Sequence, residues 1–195
     1  MDVPNKPFRF QQAIIDQLTQ TRLFAMYLAL EQGLGKTMIT LLAARNRGVP
    51  RILVLCPAIA CLVWEHEVRI WLSPHISVAV LVVRRPFYMP EARTDAPMTL
   101  CAVSYDAISR HPDAWRDVIR RFDPKLVVLD EAHRLKSSDA ICTRAIYGPR
   151  CDRKGSIIEH ADNVWALSGT PCPNHTAELW TYLRACAPEL ITVPL

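Results

Sequence analysis

Apolar residues along the chain follow two alternating patterns, which predict two kinds of element. Apolar side chains recur at helical spacing in residues 9–20, 36–47, 59–72, 112–122, 137–147 and 176–187. Short apolar runs of strand length separate them at 24–30, 51–56, 76–83, 99–103, 125–129 and 164–168. Strands that alternate with helices are typical of a parallel sheet covered on both faces. We therefore predict an α/β domain whose mostly parallel sheet has about seven strands.

Two polar stretches interrupt this alternation. Residues 84–97 contain three prolines and mixed charges and are predicted as an exposed loop, and residues 148–163 as a loop or small insertion. The 195 residues fit one domain. The N-terminus lacks the apolar core of a signal peptide, and no apolar run approaches the ~18 residues of a membrane span. We expect a cytoplasmic protein with no membrane partner.

The composition adds little to the predicted α/β class. Half of the residues are apolar, 22% are charged, and the net charge is +4. Arginine outnumbers lysine, which favours contact with phosphate, although a GC-rich genome explains the bias equally well. The seven cysteines form no Cys-x-x-Cys pair, so buried reduced thiols are expected rather than a disulfide framework or zinc site. The five tryptophans and the histidines are assigned to packing and surface positions.

A glycine turn follows the first predicted strand and opens the next helix. Gly33 and Gly35 allow close wrapping of the backbone, and the N–H groups of the helix start face an incoming phosphate. In such a turn Lys36 reaches the β- and γ-phosphates and the Thr37 hydroxyl binds Mg²⁺. Leu30 stands where the full motif has its first glycine. Taken alone, this motif therefore leaves open the alternative of a glycine-rich turn that arose by chance.

An acidic pair follows the strand predicted at 125–129. Asp130 and Glu131 lie at the carboxyl end of that strand, where open α/β sheets bind ligands. Adjacent carboxylates cannot face the same atom, so Asp130 is assigned to Mg²⁺ and Glu131 to the attacking water as general base. His133 is expected to face the segment Ser168-Gly169-Thr170. A helix cap with an acidic first turn is the alternative for the pair taken alone.

Together these segments resemble the Swi/Snf-like ATPases of helicase superfamily two. Residues 31–37 (EQGLGKT) are similar to the family's phosphate turn, 130–137 (DEAHRLKS) to its DEAH-type second motif, and 167–174 (LSGTPCPN) with 178–180 (ELW) to its third. Further likenesses are residues 9–11 (RFQ), residues 53–57 (LVLCP) with Trp64 and Glu67 behind them, and Ser104-Tyr105. The resemblance spans residues 8–190. The short third motif and the 148–163 segment look most like bacterial or phage members.

The resemblance implies a RecA-like P-loop lobe that binds ATP and Mg²⁺ and acts on nucleic acid, usually duplex DNA. It implies that Gln11 contacts adenine. The other implied nucleotide contacts are Leu30, Glu31, Gln32, Gly33, Leu34, Gly35, Lys36, Thr37 and His133. Ser168, Gly169 and Thr170 would link the nucleotide state to the grip on nucleic acid. Pro57, Ser104 and Tyr105 would lie near the backbone of one DNA strand.

Such motors bind ATP between two RecA-like lobes, and residues 1–195 are expected to form only the first. The second lobe, in cis or in trans, would supply arginines worth on the order of 10³–10⁵ in rate. The chain alone is therefore expected to bind nucleotide and to hydrolyse it poorly. A non-catalytic binding module and an RNA helicase lobe remain alternatives, and a small-molecule P-loop kinase is a weaker one.

Overall fold

Six parallel strands form one sheet in the computed structural model, which describes residues 6–90, 96–172 and 176–191. The strands are β1 Ala25–Ala29, β2 Arg51–Cys56, β3 Val78–Val82, β4 Met98–Ser104, β5 Leu126–Asp130 and β6 Asn163–Ser168. Their order across the sheet is β1-β6-β5-β2-β4-β3. This confirms the predicted α/β class.

The predicted number of about seven strands is wrong by one. Each of the six apolar runs forms one strand, and the described residues contain no seventh. The segment 148–162 consists of turns and bends, as predicted for it, and Asn163 begins β6. Its backbone bends at Gly148 (φ 93°), and it takes the left-handed conformation at Cys151 (φ 51°), which a continuous strand excludes.

The helices lie close to their predicted positions. They are α1 Arg9–Gln20, α2 Lys36–Asn46, α3 Ala60–Trp71, α4 Tyr105–Arg110, α5 Pro112–Phe122, α6 Ile141–Tyr147 and α7 Trp180–Cys186. Helix α6 starts four residues later than predicted, after a turn in which the Ala140 N–H donates to the Ser137 oxygen at 3.3 Å. The first predicted turn of α7 is a separate 3₁₀ turn, Thr176–Leu179. Residues 91–95 of the predicted loop lie outside the described residues.

Helix α4 was not predicted. It has only six residues, and its first N–H groups are capped by the Ser104 hydroxyl, which accepts from the Ala107 N–H at 3.2 Å. Asp106 in the first turn adds a favourable interaction with the helix dipole. This serine cap and acidic residue are the sequence signal that could have identified the helix.

Two apolar cores lie on opposite faces of the sheet. Helices α1, α2 and α3 cover one face, and α4 to α7 cover the other. Alternate side chains of the central strands point to each side, as Leu53 and Val54 do in β2. Trp64, Trp115 and Trp165 are fully buried, which confirms packing roles for these three.

All seven cysteines are free thiols, six of them buried, as expected for reduced cysteines. The described residues include no cluster of His, Cys, Asp and Glu suited to a metal ion. Within the same ranges, no helix has the length and apolar character that a membrane crossing requires.

The amino-terminal edge of the sheet is held by a polar network. Arg51 makes an ion pair with Asp123 at 2.6 Å, and Lys125 contacts the same carboxylate at 2.9 Å. The Arg47 guanidinium donates to the Asn163 side chain at 2.8 Å and to two backbone oxygens near the end of α1. These bonds join α1, α2 and the starts of β2, β5 and β6.

Candidate nucleotide site

The register of the sheet brings three predicted motifs together. Ala29 at the end of β1 pairs with Ser168 at the end of β6, and Leu167 pairs with Asp130 at the end of β5. Because all strands are parallel, the residues that follow them emerge at the same edge. The phosphate turn, the acidic pair and the third motif therefore lie side by side.

The phosphate turn depends on its glycines. Gly33 and Gly35 both have φ of 81°, a conformation that other residues adopt at a cost. A Cβ atom on Gly35 would lie 2.7 Å from Nε2 of Gln11 and collide with it. Helix α2 begins at the next residue, so its first backbone N–H groups point out of this turn.

Lys36 closes the turn from within. Its ammonium group donates to the Leu30 oxygen at 2.9 Å and to the Glu31 oxygen at 3.2 Å. The Leu30 side chain packs against the α1–α3 core, and its backbone is not in the left-handed region. The position therefore does not require the glycine of the full motif. Thr37 lies in the first turn of α2.

Gln11 connects helix α1 to the same turn. Its amide Nε2 donates to the Leu34 oxygen at 3.1 Å, and its Oε1 accepts from the Phe8 N–H at 2.8 Å. The side chain is 6% exposed. Gln11 thus positions the turn, and the adenine contact implied by the resemblance stays a prediction.

Asp130 is oriented from two sides. Its Oδ2 accepts from the Trp64 indole at 2.9 Å, and its Oδ1 accepts from the Glu131 N–H at 3.0 Å. Burial raises the pKa of the carboxyl group, and the Trp64 bond partly offsets that rise. Mg²⁺ prefers oxygen ligands, and the Asp130 carboxylate and the Thr37 hydroxyl are two such groups at this edge of the sheet.

Glu131 adopts an uncommon backbone conformation. Its φ is 50°, in the left-handed region, and its side chain is 28% exposed. The carboxylate lies 3.3 Å from Nδ1 of His133. The division of roles between Glu131 and Asp130 stays a prediction.

His133 and Ser168 join the acidic pair to the third motif. The His133 Nδ1 lies 3.1 Å from the Ser168 hydroxyl, which confirms that this histidine faces the third motif. The same hydroxyl accepts from the Thr170 N–H at 3.1 Å and is fully buried. Glu131, His133, Ser168 and the backbone of Thr170 thus form a continuous series of contacts.

Two further contacts hold the third motif against its neighbours. A Cβ atom on Gly169 would lie 3.3 Å from the Gln32 side chain and 3.4 Å from the Gln32 nitrogen, so this residue abuts the phosphate turn. Lys136 makes an ion pair with Glu178 at 2.8 Å. Pro173 and Asn174 of the motif lie outside the described residues.

The residues assigned to nucleic acid lie farther along the same edge. Pro57 follows β2, and Ser104 ends β4 and caps α4. Tyr105 is only 5% exposed, and its hydroxyl donates to the Asp130 backbone oxygen at 2.7 Å. Its side chain therefore supports the acidic pair, and the nucleic-acid contacts of all three residues stay predictions.

Two positioning residues were missed from the sequence. Trp64 was assigned to packing and, by resemblance, to the motif that begins at residues 53–57, but its bond to Asp130, which spans 66 positions along the chain, was not predicted. Thr181 donates to the Leu135 oxygen at 2.7 Å and ties α7 to the segment after the acidic pair. No local pattern marks either contact, because both depend on how distant elements pack.

Comparisons with known proteins agree with this geometry. A model of the SNF2-related domain matches residues 17–193. The chain is 31% identical over 179 residues to Protein CHROMATIN REMODELING 19 of Arabidopsis thaliana, covering 85% of the chain and 22% of that protein. It is 26% identical over 192 residues to the DNA repair and recombination protein RAD54 of Saccharomyces cerevisiae, covering 86% and 20%. The chain thus spans about a fifth of the length of these relatives.

Solved structures share the fold. The Sulfolobus solfataricus SWI2/SNF2 ATPase core in complex with dsDNA superposes with a TM-score of 0.71 at 22% identity, covering 96% of the chain and 37% of that structure. The Pyrococcus furiosus Hef helicase domain gives 0.62 at 21% identity, covering 92% and 36%. This likeness shows the RecA-like fold. With the family model matching nearly its whole length, the chain belongs to the SNF2-related domain family.

Proposed function

We propose that this chain is the ATP-binding first lobe of a DNA-dependent ATPase that couples hydrolysis to movement on duplex DNA. The observation that carries the proposal is the convergence at one sheet edge of the phosphate turn, the acidic pair and the third motif. The unbroken contacts from Glu131 through His133 and Ser168 to Thr170 make this edge one connected site.

The phosphates of ATP would lie over the start of α2. The N–H groups of this helix start and the Lys36 ammonium supply positive potential there. Lys36 would exchange its bonds to the Leu30 and Glu31 oxygens for bonds to phosphate. Gln32 and Leu34 contribute backbone to this cradle, and Gln11 supports it from below.

Thr37 and Asp130 would hold Mg²⁺ at this site. When bound, the ion would neutralise charge that develops on the transferring phosphoryl group. Trp64 and the Glu131 N–H fix the Asp130 carboxylate in place, so its orientation does not have to be found on binding. Glu131 would accept a proton from the attacking water, since its side chain is 28% exposed and lies beside His133.

Ser168 and Thr170 would pass the state of this site to nucleic acid. The printed name of one structural neighbour includes dsDNA, and the relatives are named for chromatin remodelling and DNA repair, which supports duplex DNA as the partner. The charge of +4 fits a polyanion. Pro57, Ser104 and Tyr105 keep their proposed places beside one strand.

Turnover is proposed to require a second RecA-like lobe, in cis or in trans. The SWI2/SNF2 core that matches the chain is more than twice as long as the part covered. Arginines from such a lobe would stabilise the transferring phosphoryl group. This chain alone would bind nucleotide and turn it over slowly.

Three finer assignments stay proposals. The DEAH form of the second motif rests on residues 130–133 alone, and the likeness to bacterial or phage members rests on the third motif and segment 148–163. The relatives described above are eukaryotic. A cytoplasmic location is the third of these proposals. An RNA helicase lobe is the alternative substrate class, and a non-catalytic module is the alternative activity.

The decisive experiment measures ATP binding and steady-state hydrolysis by the purified chain, with and without duplex DNA or duplex RNA. We expect binding that Lys36→Ala abolishes and Glu131→Gln preserves, with little hydrolysis by either the parent chain or the variants. Absence of ATP binding by the parent chain would contradict the proposed site. Rapid DNA-stimulated turnover that both substitutions abolish would contradict the requirement for a second lobe, and preference for RNA would favour the helicase alternative.

A further inference from the structure

A basic depression lies on the face covered by α4 to α7. It forms where α6, the turn that follows it and the start and end of α7 meet, and its volume is about 290 Å³. Six of the residues that line it carry its chemistry: Ser138, Asp139, Arg144, Arg150, Trp180 and Arg184. Neither the proposed nucleotide site nor the predicted DNA contacts use any of them.

In the described part of the chain, the three arginines of this depression make no ion pair. Among the described residues, no carboxylate or hydrogen-bond acceptor contacts the guanidinium groups of Arg144, Arg150 or Arg184. Arg51 and Arg69, by contrast, each lie 2.6 Å from a carboxylate. Asp139 is the one acidic residue of the lining, so the depression has an excess of positive charge. Three converging cations repel one another, and a bound anion would relieve that repulsion.

The arginines are presented by a rigid support. Arg144 and Arg184 lie in the last turns of two packed helices. Arg150 lies in a turn where the Cys151 N–H donates to the Gly148 oxygen at 3.0 Å and the Arg153 N–H to the Tyr147 oxygen at 2.8 Å. Cys151 is 3% exposed and anchors the turn. A preformed arrangement of this kind loses little conformational freedom on binding.

The chemistry of the lining selects phosphate with an aromatic neighbour. A guanidinium group matches two phosphate oxygens at once, and the Ser138 hydroxyl is a further donor. The partly exposed Trp180 at the rim offers a surface for a base. Arginines combined with an aromatic ring are typical of grooves that follow a nucleic-acid strand. An acidic peptide would pair with the arginines but would leave the Trp180 ring without a stacking partner.

We propose that this depression binds the phosphate backbone of a nucleic-acid strand, as a second contact in addition to the one expected at Pro57 and Ser104. This inference rests on the proposed function, in which the chain acts on nucleic acid. The two contacts lie on different elements, because Pro57 and Ser104 follow β2 and β4 at the carboxyl-terminal edge, whereas α6 and α7 cover one face of the sheet. The chain would therefore hold nucleic acid at two separated points.

This second contact is connected to the nucleotide site. Ser138 and Asp139 follow the acidic pair along the chain, and Trp180 follows the third motif. The Lys136–Glu178 ion pair at 2.8 Å and the bond from Thr181 to the Leu135 oxygen at 2.7 Å join these two segments. A nucleic-acid strand bound in the depression would contact both segments. One segment begins at the acidic pair and the other at the third motif, so both also reach the nucleotide site.

The test compares two triple variants that lose the same charge. One is Arg144→Gln/Arg150→Gln/Arg184→Gln. The control is Arg22→Gln/Arg120→Gln/Arg121→Gln, whose exposed arginines lie near the amino-terminal edge. Fluorescence anisotropy measures binding of a labelled duplex of about 30 base pairs between about 50 and 200 mM salt, with polyglutamate as a competitor in a separate series. Thermal unfolding verifies that both variants are folded.

We expect the first variant to bind the duplex at least about tenfold more weakly than the control. Its slope of log affinity against log salt should be lower by about 2–3, since each phosphate contact contributes about 0.9. Equal losses in the two variants would overturn the second contact and leave the proposed function standing. Competition by polyglutamate that matches unlabelled duplex would reassign the depression to acidic polypeptide. No duplex binding by the parent chain would overturn both proposals.

Discussion

The polar residues at the two edges of the sheet have opposite effects on the stability of the folded state. At the amino-terminal edge the charged groups are paired, as in the contacts of Arg51 and Lys125 with Asp123. At the carboxyl-terminal edge Asp130 is a buried carboxyl with a raised pKa, and Glu131 has a left-handed backbone. The first arrangement lowers the free energy of the folded state, whereas the second raises it.

That difference indicates where selection has favoured binding over stability. Strained backbone and buried ionisable groups persist only where the surrounding structure holds them in place. Here Trp64, the Glu131 N–H and the end of β5 hold Asp130. Substitutions at the carboxyl-terminal edge should therefore change ligand affinity, and those at the amino-terminal edge should change stability.

The largest effect is expected at Lys36. Lys36→Ala should weaken ATP binding by at least about 100-fold, because the main cation of the phosphate turn is lost. The free energy of unfolding should change by less than about 1 kcal/mol, since the two backbone oxygens it contacts can turn to water. Isothermal titration calorimetry and urea denaturation measure the two quantities. A variant that binds ATP like the parent would place the nucleotide elsewhere.

Arg47→Ala should show the reverse behaviour. It removes a guanidinium that donates to Asn163 and to the Leu18 and Thr21 oxygens and lies 5.7 Å from the Trp165 ring. We expect a loss of about 2 kcal/mol in the free energy of unfolding, because charge-assisted hydrogen bonds contribute about 1.5–3 kcal/mol. ATP affinity should stay within about twofold. A large loss of affinity without a loss of stability would remove the distinction between the edges.

Two buried tyrosines offer a matched comparison of smaller size. The Tyr105 hydroxyl donates to the Asp130 oxygen, whereas the Tyr182 hydroxyl is buried without a partner in the described part of the chain. Tyr105→Phe should lower the free energy of unfolding by about 1 kcal/mol, and Tyr182→Phe should leave it unchanged or raise it. Urea denaturation of both variants measures this. The opposite order would show that the Tyr105 bond does not support the acidic pair.

The smallest effect concerns pH. Because burial raises the pKa of Asp130 in the folded state, the folded chain holds this proton more tightly than the unfolded chain does. The stability contributed by the neutral group is complete below about pH 4, near the ordinary pKa of aspartate, and is lost as pH rises through the raised value. The free energy of unfolding of the parent should therefore fall relative to Asp130→Asn as pH increases from about 4. A parent whose free energy of unfolding rises relative to that of Asp130→Asn over this pH range would contradict the raised pKa.

Much of the fold follows from local patterns. Helix α1 and helix α5 have the predicted bounds, since each has a strong apolar stripe and polar flanks. Helix α6 is shorter than predicted because Ser137 and the residues after it form a turn, and short polar side chains bond readily to nearby backbone. Helix α4 is too short for a periodic pattern to reveal it.

The site was predictable only in part for a related reason. Lys36, Asp130 and Glu131 could be found from their motifs because each motif follows an apolar strand directly. The order of the strands, with β6 inserted between β1 and β5, could not be found in this way. The roles of Trp64 and Tyr105 depend on that order and on packing, so they appear only in the structure.

The pairing of Ala29 with Ser168 has a mechanical consequence. Backbone hydrogen bonds between adjacent strands keep the ends of β1 and β6 about 4.8 Å apart and resist sliding. A displacement that begins at the phosphate turn therefore cannot be absorbed as shear between these strands. It must instead deform the residues just past them, where Gly169 touches Gln32. The sheet thus acts as a stiff base beneath the turn that carries Thr170.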